Sequence, residues 1–234
     1  MQPGQQFLDQ SAKKSDETYR AVLGALNFLA GGTRPDISFA VHLLQTFQEV
    51  YTQEHWSAAM RILSYLNRTS DLCLLYRRSS TPTDIVTFCD ASCSDSKSFS
   101  GYVVYFGGNL VSWRSKKQRM VANSTGFAEL VALEDAVTQT VWLSNFRQEI
   151  FKESKDHQQT LVLTDSTAAL QASHQSAHHS RMKTILNKAA SIRQQEELGL
   201  VSFNFHIFHL LTTSPISSPK PCLRQLSKAT IAAM

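Results

Sequence analysis

Hydrophobic residues recur along this chain with two different periods. Up to about Arg78 the period is helical. The segment "YRAVLGALNFLAGG" carries Val22, Leu23, Leu26, Phe28 and Leu29 and runs into Gly31 and Gly32, which predicts an amphipathic helix with a glycine stop. Two further helices are predicted in "TRPDISFAVHLLQTFQEV" and "TQEHWSAAMRILSYLNRTSD", the latter with Trp56, Met60, Ile62, Leu63 and Leu66 on its apolar side. The polar stretch "SSTPT", Ser79 to Thr83, predicts a linker and a domain boundary.

Beyond the linker the period falls to two. "DIVTFCD", "SGYVVYFGG" and "NLVSWRSKKQR" are β-branched or alternating runs between glycine, asparagine and serine turn signals, predicting a three-stranded meander. "STGFAELVALEDAVTQTVWLSNFRQEIF" opens on a Ser-Thr cap and repeats Leu130, Leu133, Val137 and Val141 on one face, as a long helix lying on a sheet does. A fourth strand "TLVLTD", a helical "STAALQA", a helix in "MKTILNKAASIRQQEELG" ending at Gly199, and a last strand "LVSFNFHI" follow. The order β-β-β-α-β-α-α-β with mixed strand directions predicts an α/β sandwich.

Charge refines this picture. Of 23 basic residues, Lys220, Arg224 and Lys228 lie beyond Glu197, leaving 20 against all 19 acidic ones before that point. Such a body is nearly neutral, which argues against tight nonspecific nucleic-acid binding through bulk charge but allows a local basic patch. Cys73, Cys89, Cys93 and Cys222 have neither the pairing of a disulfide framework nor a second pair to make a zinc site with the single CxxxC. A reducing, intracellular setting, cytoplasmic or nuclear, is therefore expected. No apolar run approaches the roughly 20 residues of a membrane span, and the polar start "MQPGQQFLDQSAKKSDE" has no signal-peptide core.

Three acids stand where strands or a helix begin or end. Asp90 closes the first strand in "FCDAS", Asp165 closes the fourth in "LTDST", and Glu129 lies in the first turns of the long helix. Ligands bind at that edge of open α/β sheets, and carboxylates meeting there would suit a hard cation such as Mg²⁺. Two such ions about 3.5–4 Å apart could activate water on a phosphodiester. The alternatives are plainer: a strand-end aspartate is often a turn former, Asp165 or Ser166 could cap the following helix, and a glutamate near a helix start can simply match the dipole.

"TFCDASCSDSKSFSGYVVYFGGNLVSWRSKKQRMVANSTGFAELVALEDAV", "LVLTDSTAAL" and "HHSRMKTIL" together resemble the ribonuclease H domain at the end of copia-type retrotransposon polyproteins. "YRAVLGALNFLAGGTRPDISFAV" and "EHWSAAMRILSYL" are similar to the segment joining reverse transcriptase to that domain. The resemblance runs from about Tyr19 to Ile207. It implies a ribonuclease H-like mixed five-stranded sheet with flanking helices, preceded by a small helical segment. Residues 1–78 would be the helical remnant of the reverse transcriptase connection and 84–207 the ribonuclease H-like domain. Asp90, Glu129 and Asp165 would be catalytic, three of four carboxylates that hold Mg²⁺ or Mn²⁺ and cut RNA in an RNA/DNA hybrid. Arg114, Lys116 and Lys117, beside Trp113, match a basic region that could meet phosphates, or could be only a solvated charge cluster. His179, Arg181 and Lys183 match a second basic motif.

Departures from the family pattern bear on activity. Gly126-Phe127 stands where a glutamate is usual, Thr184 and Ala190 replace helix histidines, and no acid follows Glu197 to supply the fourth carboxylate. His206 or His209 could only partly replace a hard oxygen ligand. Codons permitted for Leu210 to Cys222 can be regrouped to spell the family's Ala-Asp ending, so 208–234 is expected to be an out-of-frame, disordered tail following a frameshift near Phe208. No polymerase aspartates are supplied upstream of Tyr19. The expected function is metal-dependent hybrid cleavage, impaired by the missing carboxylate; the alternative is a nucleic-acid-binding or vestigial protein without catalysis. No membrane role is expected.

Overall fold

The computed structural model describes residues 13–14, 17–80, 84–92, 98–119, 124–151, 160–167, 169, 171 and 183–205. These residues form two compact units that divide between Leu74 and Leu75.

The first unit is mainly helical. Strand β1 (Lys13–Lys14) pairs antiparallel with β2 (Val50–Tyr51), and between them lie α1 (Glu17–Gly32), a 3-10 turn (Pro35–Ile37) and α2 (Ser38–Gln45); α3 (Gln53–Arg68) follows. The core gathers Tyr19, Leu23, Leu26 and Ala30 of α1 with Ile37, Val41, Leu44, Tyr51 and Ala59. Tyr19 stacks on Tyr51 with ring centroids 4.2 Å apart. The expected apolar face of α1 is corrected here. Phe28 is 80% exposed and Leu29 also faces out. Stepping by four residues from Leu23 and Leu26 leads to Tyr19 and Ala30, on the opposite side of the helix from Phe28. Leu63 likewise faces outward on α3.

Two polar devices hold this unit. Thr52 and His55 close a capping box at the start of α3: the Thr52 N–H donates to His55 Nδ1 at 2.9 Å, and the His55 N–H returns to Thr52 Oγ1. In the Arg34-Pro-Asp stretch, Arg34 grips Asp36 with two bonds of 3.0 and 2.7 Å and donates to the Thr69 carbonyl and hydroxyl at the far end of α3. The Tyr65 hydroxyl donates to Asp36 at 2.9 Å. Burial works against the Asp36 charge, yet the bonds from Arg34 and Tyr65 outweigh it and hold the carboxyl below its ordinary range.

The second unit carries the sheet. Its elements are β3 (Ile85–Ser92), β4 (Phe99–Phe106), β5 (Asn109–Lys117), α4 (Thr125–Phe151), β6 (Thr160–Thr164), α5 (Lys183–Glu197) and β7 (Ser202–Phe205). The sheet order is β5-β4-β3-β6-β7, antiparallel through β3, β4 and β5 and parallel from β3 through β6 to β7. Gly107 and Gly108, at φ +53° and +76°, make the two-residue β4–β5 turn that needs both central residues in left-handed backbone. This is the expected mixed five-stranded sheet with flanking helices.

Burial alternates along β3, with Ile85, Thr87 and Cys89 inside. Against Cys89 and Val162 pack Leu130, Leu133, Ala136 and Val137 of α4, joined by Ala189 and Ile192 of α5. Deeper along α4 the hydroxyls of Thr87 and Thr140 meet at 2.7 Å, leaving neither polar group stranded in the core. Residues 167, 169 and 171 are helical, in keeping with "STAALQA", while 208–234 lies outside the described residues. No described helix is long and apolar enough to cross a membrane.

Replacing Asp36 by Asn leaves the Arg34 guanidinium, whose side chain is 9% exposed, without its counter-charge. The expected loss is about 3–5 kcal/mol, read by denaturant unfolding. Because the Asp36 carboxyl is held low, its contribution is present above the unfolded carboxylate range near ~4 and disappears only as pH falls below that.

Candidate metal centre

Strand register brings the first two acids together. Ile85 lies beside Thr160 and Phe88 beside Leu163 in the parallel β3–β6 pair. Continued by two residues, that register sets Asp90 beside Asp165, at the spacing of neighbouring strands, roughly 4.8 Å. Glu129 arrives from α4, whose start is capped by the Ser124 hydroxyl accepting the Phe127 N–H at 3.2 Å and whose next residues, Leu130 and Leu133, are locked into the core. One carboxylate oxygen from each of Asp90, Glu129 and Asp165 lies within 4.8 Å of the other two.

The cap question is also resolved. Ser166 Oγ accepts the Ala169 N–H at 3.1 Å, so the serine caps the short helical turn while the Asp165 carboxylate sits with the other acids. Asp165 is exposed; Asp90 and Glu129 are half-buried.

Three like charges gathered at a partly dry site resist ionisation. Burial and the neighbouring Asp165 push Asp90 up to about 6, against the pull of the Ala91 N–H, which donates to it at 2.8 Å. Glu129 is pushed up to about 8, first by burial and then by Asp90 and Asp165. Burial raises Asp165 as well, opposed by its own backbone amide. Among the described residues, Glu129 Oε2 is a buried oxygen without a hydrogen-bond partner. Oxygen donors, shared reach, mutual repulsion and an orphaned carboxylate oxygen all fit a hard divalent cation. The Cys89 thiol next to them is no ligand: burial raises it far above its usual range, and it donates to the Leu163 carbonyl.

The basic residues singled out in the sequence are dispersed by comparison. Arg114 is exposed on β5 beside the Tyr102 hydroxyl. Lys116 pairs with Asp135 of α4 at 3.4 Å, and Lys117 is half-buried. Lys183 opens α5, whereas His179 and Arg181, like His206 and His209, lie outside the described residues. Two polar groups at the site had no sequence signal beyond residue type: the Ala91 amide and Gln118, whose side chain bonds the Ala128 carbonyl at 2.8 Å.

No family model matches the chain. Among curated proteins it is 36% identical over 169 residues to the retrovirus-related Pol polyprotein from transposon TNT 1-94 of Nicotiana tabacum, covering 71% of this chain and 12% of that protein. It is 32% identical over 197 residues to the corresponding polyprotein from transposon RE2 of Arabidopsis thaliana, covering 82% of this chain and 13% of that protein. The chain thus spans about an eighth of the length of these relatives. Among solved structures, the foamy viral protease-reverse transcriptase dRH in complex with double-stranded DNA is similar over 88% of this chain and 34% of its own, at 16% identity and TM-score 0.52. An N-terminal ribonuclease H domain from Mycobacterium tuberculosis aligns over 64% of this chain and 96% of its own, at 15% identity and TM-score 0.39. At these identities the likeness concerns fold alone.

The raised carboxyls carry a stability signature. A glutamate that titrates near 8 when folded and near ~4.3 when unfolded leaves stability intact below ~4 and drains it as pH rises toward 8. In EDTA, Glu129→Gln should therefore melt higher than the parent at pH 8.5, by about 2–4 °C if solvent screening leaves ~1 kcal/mol, and no higher at pH 4. Equal melting temperatures at pH 8.5 would remove the electrostatic account of the site.

Proposed function

The chain belongs to the retrovirus-related Pol polyproteins of copia-type transposons, and on that premise we propose that its ribonuclease H-type unit is a metal-dependent hybrid nuclease impaired by the loss of one carboxylate. The observation that carries this reading is the meeting of the Asp90, Glu129 and Asp165 oxygens within 4.8 Å. Asp90 and Asp165, side by side on parallel strands, would hold Mg²⁺ or Mn²⁺ between them, and Glu129 would reach it from the helix. Bound there, such ions would supply activation of water and neutralisation of the leaving oxygen. The chain's own contribution is the rigid frame: the β3–β6 register sets two of the ligands, and α4 packing sets the third. Arg114, Lys116 and Lys117, with His179, Arg181 and Lys183, would meet the phosphates of an RNA/DNA hybrid.

The impairment follows from the sequence after Glu197, which contains no aspartate or glutamate. Three carboxylates suffice for one ion. A second ion then lacks the hard oxygen ligand it needs, and the frameshift reading of 208–234 accounts for the loss. That same absence favours a second reading, a hybrid-binding domain without catalysis.

A labelled RNA/DNA hybrid with Mg²⁺ or Mn²⁺ separates these. The expected outcome is ion binding, salt-sensitive association with the hybrid, and little or no cleavage. Asp90→Asn should lower ion affinity and remove any residual cutting. Multiple turnover by the chain, abolished by Asp90→Asn, would disprove the impairment; absence of ion binding would disprove the metal site.

A further inference from the structure

We propose that Gln118 is a positioning residue that sets the reach of Glu129 into the carboxylate cluster; the proposal rests on the metal-site reading above. Gln118 is the first residue after β5 and is 3% exposed. Its own N–H donates to the Ser98 carbonyl at 2.8 Å, so its backbone is held against the start of β4. Its side-chain Nε2 donates to two acceptors, Ser100 Oγ of β4 and the carbonyl of Ala128, each at 2.8 Å. Ala128 is the residue immediately before Glu129 and is itself buried.

The bond to Ala128 has a defined sense. A carbonyl can only accept, so the amide NH₂ must face it. The Gln118 Oε1 oxygen is thereby turned into the interior, where it is buried and has no hydrogen-bond partner among the described residues. A methionine or leucine would fill the same space without stranding an oxygen, and leaving one stranded is unfavourable. What the glutamine adds is a tie between the end of β5, the start of β4 and the first turns of α4.

That tie acts at the right place. The Ser124 cap orders the first amides of α4, and Leu130, Leu133 and Val137 fix the helix against the sheet further along. Leu130, one residue past Glu129, packs on the sheet through its side chain alone, and none of these contacts hydrogen-bonds the sheet to the peptide before Glu129. Gln118 does, one peptide away. Metal ligands must be held to a few tenths of an ångström, so releasing this bond lets the helix start drift and separates the Glu129 oxygen from those of Asp90 and Asp165.

The test compares Gln118→Met, which keeps volume but cannot donate, with the parent chain and with Ser100→Ala, which removes the other acceptor and keeps the Ala128 bond. Mn²⁺ affinity is measured by calorimetry, and amide exchange over the first turns of α4 by mass spectrometry. The expected result is a loss of about 10- to 100-fold in Mn²⁺ affinity for Gln118→Met, with faster exchange confined to that helix start, and parent-like values for Ser100→Ala. If Gln118→Met does not fold, Gln118→Asn, which retains the amide but lacks the reach, is read in the same way. Unchanged affinity in the variant overturns the proposal, as does an equal affinity loss in Ser100→Ala. Should the parent itself bind no Mn²⁺, it is the metal-site reading that fails; exchange at the helix start then decides separately, and parent-like exchange in the variant overturns the tie.

Discussion

The parallel pairing of β3 with β6 is the constraint from which the site follows. Ile85 beside Thr160 determines, residue by residue, that Asp90, which lies inside β3 opposite Gly101 rather than at the strand's expected end, stands level with Asp165 just past the end of β6. A slip of one residue would turn the alternating core of β3 to the wrong face, so the packing of Thr87 and Cys89 under α4 also enforces the meeting of Asp90 and Asp165. Hydrophobic packing thus maintains an electrostatically unfavourable contact. The core holds the acids close and partly dry, and burial first, then their mutual repulsion, raises the carboxyls, with Glu129 at about 8 and Asp90 at about 6.

Helix α4 is the second requirement. It brings Glu129 to the cluster, packs Leu130, Leu133, Ala136 and Val137 into the core against the sheet, and directs Glu134 and Asp135 to other partners. Glu134 takes Lys188 of α5 at 2.5 Å and Asp135 takes Lys116 of β5 at 3.4 Å. These ion pairs are partly exposed and contribute little stability by themselves. Their consequence is for the field around the site: these two lysines are engaged further along the helix with acids other than the triad.

The helical unit is held together differently. Its apolar core is assembled from three helices and a tyrosine stack, and a buried ionic network ties the turn after α1 to the end of α3 through Arg34, Asp36, Tyr65 and Thr69. Such a network stabilises only while every member is present, because each buried charge depends on its partner. "TRPDIS" therefore marks a structural latch, an arrangement that composition alone would have left as a polar turn.

Much of this architecture is legible in the chain itself. Period-two runs marked β3, β4 and β5, the Leu130-Leu133-Val137 repeat marked α4, and strand-end positions marked Asp90 and Asp165, because local backbone geometry dictates which side chains share a face. Phe28, apolar yet 80% exposed, marks the limit of such patterns: an apolar residue joins a core only if its face of the helix meets another element, and which face does so is a property of the partner. The two-residue pairing of Lys13–Lys14 with Val50–Tyr51 left no pattern at all, being too short for a period. The sequence by itself determined the elements, their order and the acids available for chemistry. Only the tertiary structure decided that three carboxylates up to 75 positions apart share one point, that Ser166 and not Asp165 is the cap, and that Gln118 reaches Ala128, since each depends on register and packing between segments that local sequence does not relate.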